Sequence, residues 1–143
     1  GSFPLSGCAA DRFRYLAVKQ VKRSLHILAD FYGCEGEGKY FTGKAAVRKK
    51  ALTLIRRAGF SIIASRFHKF SVNPHGDGGI TGVIIVSESH LTIHTWPEKR
   101  YVNLDVFFCN YSRDNTKKAR AVFVEFRRIY KPQRLRIREV WRD

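Results

Sequence analysis

Cysteine is scarce in this chain of 143 residues. Cys8, Cys34 and Cys109 are odd in number, far apart and form no C-x-x-C pair, which excludes a disulfide framework and a zinc site as organising elements. A reducing compartment is therefore expected. Long apolar runs are missing too: no stretch approaches the roughly 18 uninterrupted apolar residues of a membrane span. The segment before the first expected strand lacks the apolar centre of a secretory signal, so a cytoplasmic protein without membrane contact is expected. No repeat at a solenoid period, low-complexity tract or interdomain linker interrupts the chain. Acidic residues are few, 12 against 27 lysines and arginines, giving a formal charge of +15.

What is present suits one domain, since 44% hydrophobic residues with 13% aromatics can fill a real core at this length. The positive charge is an electrostatic footprint compatible with nucleic acid. Its distribution argues against that use. Basic residues spread through Arg12 to Arg23, Lys44 to Arg57, Lys117 to Arg128 and Lys131 to Arg142, on several elements rather than in one patch with interleaved aromatics. A solvated, solubilising surface is the expectation.

Periodicity and punctuation give the order strand, helix, four strands, helix, strand. Ser24 to Tyr32 reads as a strand closed by Gly33, and a Gly-rich charged loop then leads to Gly43. Val47, Ala51, Leu54, Ile55 and Ala58 recur at helical spacing before Gly59, a C-terminal stop. Phe60 to Phe70 and Ile80 to Ser87 read as strands separated by a loop bearing Pro74 and three glycines. Leu91 to Trp96 and Tyr101 to Cys109 follow as two more, joined by a turn at Pro97 to Arg100. A second helix starts near Thr116, with Ala119, Val122, Phe123, Phe126, Ile129 and Tyr130 as its apolar stripe. The last strand, Arg134 to Val140, alternates apolar and basic residues, predicting one buried and one wet face. The fold class is thus α+β, a two-layer sandwich of a mainly antiparallel sheet with two helices on one face. Residues 1–22 form an extension and residues 23–143 the domain.

The most informative segment is Val86-Ser87-Glu88-Ser89-His90-Leu91-Thr92-Ile93-His94-Thr95-Trp96-Pro97-Glu98. His90 and His94 are four apart, the spacing of two zinc ligands on a helix. In a β-rich run four residues span roughly 13 Å at about 3.3 Å each, so no shared metal is expected. A serine-hydrolase elbow needs G-x-S-x-G, and Ser89 lies between Glu88 and His90. What remains is a Glu-Ser peptide bond with histidines close by in sequence.

This run resembles the processing site of prokaryotic S-adenosylmethionine decarboxylases, which are pyruvoyl-dependent enzymes. The similarity extends from about Arg23 to Val140: Ser24 to Cys34 is similar to the family's first strand, Phe67-His68-Lys69-Phe70 to its H-x-F segment, and Tyr101 to Cys109 to the strand ending in its catalytic cysteine. The resemblance implies that the Glu88–Ser89 bond breaks by itself, giving a β chain of residues 1–88 and an α chain of residues 89–143. Ser89 Oγ would attack the Glu88 carbonyl, with the hydroxyl of Thr81, where the family has serine, as donor to the oxyanion. His94 would then take the Ser89 α-proton. Ser89 would become a covalent pyruvoyl group, the cofactor, which forms a Schiff base with the substrate and withdraws electrons as pyridoxal phosphate would. Cys109 would return a proton to the product.

By the same resemblance Phe70 stacks on adenine, Trp96 shapes the wall and Glu98 holds ribose hydroxyls and offsets a sulfonium charge. Asp30 and Asp105 are further sources of local negative charge for a cationic substrate. A homodimer of cleaved αβ protomers with active sites at its interface is implied, making decarboxylated S-adenosylmethionine for spermidine synthesis. The chain departs from the family pattern in a longer Gly-rich loop between Phe70 and Thr81, in Asp30 for glutamate, in Lys99-Arg100 for Tyr-Gly and in Phe108 before Cys109. Two alternatives stay open: the same pyruvoyl scaffold acting on arginine or ornithine, and an inactive basic nucleic-acid-binding module.

Overall fold

The computed structural model describes residues 23–72, 74 and 76–143. The expected extension, residues 1–22 with Cys8, lies outside the described residues. Alternation sets the first element, β1 (Ser24–Tyr32), which turns Leu25, Ile27, Ala29 and Phe31 into the core. The helix α1 (Lys39–Thr42) is short and Gly43 separates it from α2 (Lys44–Arg57). After β2 (Ile62–Lys69) come β3 (Ile80–Val86) and β4 (Ser89–Trp96). A single 3₁₀ turn, Pro97–Lys99, leads into β5 (Tyr101–Phe108). Helix α3 (Thr116–Tyr130) and the strand β6 (Arg134–Arg142) complete the domain.

All six strands pair antiparallel in the order β2-β3-β4-β5-β1-β6. The α+β two-layer architecture read from the sequence is the one observed, with α1 as an addition. The sequence predicts loop before Gly43, but Phe41 is buried in the core and its turn closes by Gly43 N–H donating to the Lys39 carbonyl at 2.9 Å. Helix α2 buries Val47, Ala51, Leu52, Leu54 and Ile55 and stops where Gly59 takes φ +90°, a conformation that costs glycine little. Helix α3 buries Ala119, Val122, Phe123, Phe126 and Tyr130. These stripes meet the alternating inner residues of the sheet in one apolar cluster. Each fully buried large side chain stabilises by about 1.5–3 kcal/mol.

Two differences from expectation matter for function. Strand β4 begins at Ser89 rather than Leu91, so Ser87 and Glu88 alone connect β3 to β4. The expected buried face of β6 is largely wet: only Leu135 packs on the core, while Ile137 is 42% and Trp141 40% exposed. An edge strand beyond the reach of most of the helical layer leaves its inner residues in solvent. Among the described residues no helix packs on the other face of the sheet, where Val83 and Ile85 of β3 are exposed.

Candidate active site

The tight connection between β3 and β4 decides where the Glu88–Ser89 bond lies. Ser89 pairs with Val86 across the hairpin and with Phe108 across β4 and β5, at one end of the sheet. Two-residue hairpin loops ordinarily use glycine or asparagine because their backbone needs positive φ. Here neither is present, and the positive φ falls on Ser89 itself, at 138°. Such a conformation in a residue with a side chain costs on the order of 1–3 kcal/mol. Strain is therefore concentrated at this peptide bond.

The Glu88 carbonyl has a close donor: the Cys109 main-chain N–H points at its oxygen, N···O 2.6 Å. Sequence reasoning assigned the oxyanion donor to Thr81, and this main-chain group has no sequence signal. The Glu88 carboxylate is held by Arg113 Nε at 3.3 Å, by the Ser112 hydroxyl at 3.3 Å and by the side-chain amide of Asn115. That same amide donates to the Cys109 carbonyl at 2.8 Å. Ser112, Arg113 and Asn115 carry no sequence signal, because they lie in a polar loop where only the helix start at Thr116 is legible.

Thr81 and His94 meet elsewhere. They are a cross-strand pair of β3 and β4, with Thr81 Oγ1 2.8 Å from His94 Nδ1. A cleft of about 400 Å³ opens there, and its lining includes Phe70, Thr81, His94, Trp96 and Glu98. The backbone of Gly79 presses so closely on β4 that a Cβ would fall 1.9 Å from the Thr95 carbonyl oxygen. Lys69 fixes the preceding loop by donating to the carbonyls of Thr42 and Gly78, both at 2.8 Å. Trp96 is oriented by its indole N–H, which donates to Asn103 Oδ1 at 2.9 Å. Asn103 and Tyr101 in turn donate to Asp30, at 2.7 and 2.6 Å. Burial and that carboxylate push the Tyr101 hydroxyl well above the usual range. Asp30 is thus engaged in holding Trp96, and Asp105 lies 3.9 Å from His26. Of the three carboxylates, Glu98 is the one in the cleft wall.

The predicted site residues therefore fall into two groups. Glu88, Ser89 and Cys109 gather at one end of β4, while Thr81, His94, Trp96, Phe70 and Glu98 gather at the other. Ser89 and His94 are five residues apart on one strand, about 17 Å at 3.3 Å per residue. Within one chain the imidazole does not reach the serine. Among the described residues no group of histidine, cysteine and carboxylates is disposed to hold a metal ion, and no helix is long and apolar enough to cross a membrane.

The sequence pattern of one family, described as S-adenosylmethionine decarboxylase, matches residues 25–143. An S-adenosylmethionine decarboxylase proenzyme of Clostridium kluyveri is 48% identical over 84 residues, 59% of this chain and 61% of that protein. The chain thus spans about three-fifths of the length of that relative. The proenzyme of Thermosipho melanesiensis is 37% identical over 114 residues, 80% of this chain and 79% of its own length. That of Persephonella marina is 40% identical over 111 residues, 78% and 75% of the two chains. The crystal structure of the adenosylmethionine decarboxylase from Aquifex aeolicus VF5 superimposes with a TM-score of 0.69 at 28% identity, covering 82% of this chain and 88% of that one.

Proposed function

The chain belongs to the S-adenosylmethionine decarboxylase family, and from that membership we propose that it is a self-cleaving, pyruvoyl-dependent decarboxylase of S-adenosylmethionine, supplying polyamine synthesis. The observation that carries this reading is the strained Glu88–Ser89 bond whose carbonyl faces the Cys109 N–H. Ser89 Oγ attacks the Glu88 carbonyl carbon, the C–N bond breaks as the C–O bond forms, and the oxyanion gathers at the Cys109 N–H. A donor already in place costs no reorganisation when charge develops. Removal of the Ser89 α-proton then breaks the Cβ–Oγ bond of the resulting ester, and the main-chain carboxylate of residue 88 leaves as the new C-terminus. The dehydroalanine left at residue 89 takes up water and loses ammonia, giving the pyruvoyl group.

Residues fit such a group: Ser89 is its source, and the half-buried Cys109 thiol follows directly on Phe108, the β5 partner of Ser89. The group supplies an electron-withdrawing carbonyl that accepts the electron pair left behind by carbon dioxide. Cys109 Sγ–H holds the proton that the product needs. Phe70 and Trp96 offer flat faces to adenine, and Glu98 accepts from ribose hydroxyls while its charge offsets the sulfonium. A thiol in this role suits a reducing, cytoplasmic setting.

The roughly 17 Å between Ser89 and His94 supports a further part of the reading, that the working form is a homodimer. Face-to-face stacking of the two sheet faces turned away from α2 and α3, about a two-fold axis across the strands, sets β4 antiparallel to its copy. His94, with Thr81 behind it, then serves Ser89 of the other chain. The exposed Val83 and Ile85 are covered in that stack.

The test is the intact mass of purified protein followed by carbon dioxide release. Two fragments, 1–88 and 89–143 with residue 89 as pyruvoyl, and turnover of S-adenosylmethionine are expected. A single uncleaved chain, or turnover of arginine or ornithine in place of S-adenosylmethionine, overturns the corresponding half of the proposal.

A further inference from the structure

Asn115 stands at the N-cap of α3, where asparagine usually accepts a hydrogen bond from the first turn of the helix. Its side chain makes no such bond. The residue is fully buried, 0% exposed, and its amide nitrogen is spent on two acceptors outside the helix, the Glu88 carboxylate and the Cys109 carbonyl at 2.8 Å. The amide oxygen is left buried without a partner among the described residues. Forgoing the cap and burying an unsatisfied oxygen are both costs. The amide cannot be turned round to recover them, since its oxygen would then face a carboxylate and a carbonyl. Something other than helix stability fixes this orientation.

We infer that Asn115 is a positioning residue for self-cleavage, an inference that rests on the reading proposed above. Its two N–H groups join the residue that precedes the scissile bond to the residue whose main-chain N–H receives the scissile carbonyl. Glu88 is gripped at its side chain while its carbonyl oxygen is set against Cys109 N, so the two anchors fix the Glu88 carbon in the path of Ser89 Oγ. The Asn115 main-chain N–H donates to Asn110 Oδ1 at 2.7 Å, and Asn110 N–H donates to Ser24 Oγ at 2.8 Å. The clamp is thereby tied to β1 and cannot drift with the loop of residues 111–114. Arg113 and Ser112 add charge and a third donor to the same carboxylate. Sequence shows none of this, because an asparagine before a helix reads as a cap.

The action is confined to the acyl shift. Once the ester has formed, the geometry of the Glu88 carbonyl no longer limits elimination, which depends on the base at the Ser89 α-carbon. This separates Asn115 from a residue that merely supports the fold.

The experiment follows cleavage of freshly refolded chain by intact mass, with and without hydroxylamine, which cuts an ester but not an amide. The wild-type chain, Asn115→Ala, Asn115→Asp and Glu88→Ala are compared, with near-ultraviolet circular dichroism and thermal midpoints recorded on each uncleaved chain. Each substitution is expected to slow cleavage by roughly tenfold or more, the range of a lost charge-assisted hydrogen bond. Asn115→Asp, which sets a second carboxylate against Glu88, should be slowest, and Glu88→Gln in that background should restore part of the rate by letting the new amide donate to the introduced carboxylate. The uncleaved chains should resist hydroxylamine. Asn115→Asp and Glu88→Ala cleaving at the wild-type rate, or uncleaved chains that accumulate as hydroxylamine-sensitive ester, overturn the inference. A wild-type chain that does not cleave overturns the reading beneath it instead. If Asn115→Ala does not fold, Glu88→Ala, altered on the other side of the same bond, decides the outcome.

Discussion

Ser89 and His94 share the strand β4 yet stand at its opposite ends, His94 bonded to Thr81 and Ser89 beside the loop that follows Cys109. In the proposed enzyme this arrangement makes each chain both a substrate and a catalyst of maturation. One surface takes the cut, and the distant one supplies the base.

That division predicts complementation. Ser89→Ala alone and His94→Ala alone should each fail to make pyruvoyl, but the two expressed together should yield heterodimers in which the His94→Ala chain is processed. Mass spectrometry of the mixture should find that chain, and no Ser89→Ala chain, carrying the pyruvoyl group. Absence of any processed chain in verified heterodimers contradicts delivery of His94 from the second copy.

Cys109→Ala separates two reactions. The group facing the Glu88 carbonyl is the main-chain N–H, at 2.6 Å, and alanine retains it. Cleavage should continue within a few-fold of normal, while decarboxylation falls by roughly two orders of magnitude or more for want of a proton donor. Loss of both together would mean that the thiol itself takes part in processing.

Glu98→Gln keeps the shape of the cleft and removes its charge. With fully cleaved enzyme, KM for S-adenosylmethionine should rise about tenfold, as expected for a charge-assisted contact, with kcat less affected. Equal loss against an amine substrate without ribose would point away from hydroxyl recognition.

His26 sets a pH dependence of stability. Burial lowers its pKa below the usual 6.5, despite the nearby Asp105 carboxylate. Between the folded and unfolded values the unfolded chain binds more protons, so stability falls as pH drops through 6.5 and levels off below the folded value. Chemical denaturation midpoints measured from about pH 7.5 to about pH 4.5 should decline over that window, and His26→Leu should flatten the decline. An unchanged slope in the variant assigns it to other groups.

The order of elements is legible in the sequence because period and punctuation agree: Val47 to Ile55 repeat at helical spacing and Gly59 stops them, and the strand-type content of Ser24 to Tyr32 ends at Gly33. The wet inner face of β6 is not legible, since alternation at Leu135 and Ile137 reports which side chains could be buried, and the extent of the helical layer decides whether they are. The residues of the candidate site are legible as one motif with Cys109. Their separation follows from arithmetic that the motif conceals, for five residues of extended chain exceed the reach of any imidazole. Asn115 and the Cys109 N–H stay hidden for another reason: one masquerades as a helix cap and the other is main chain, carrying no side-chain signature at all.

Strand β6 lies at the margin of the sheet, with Arg134, Arg136, Arg138 and Arg142 paired to Tyr32, Asp30, Leu28 and Ser24 of β1. Its outer backbone groups are a template on which another chain could continue the sheet. A second copy arriving edge to edge would bring a second row of guanidinium groups alongside the first, and the like charges repel it. The charge thus disfavours sheet extension at this border, and in the proposed enzyme it leaves association to the opposite arrangement, the two-membered stack of sheet faces.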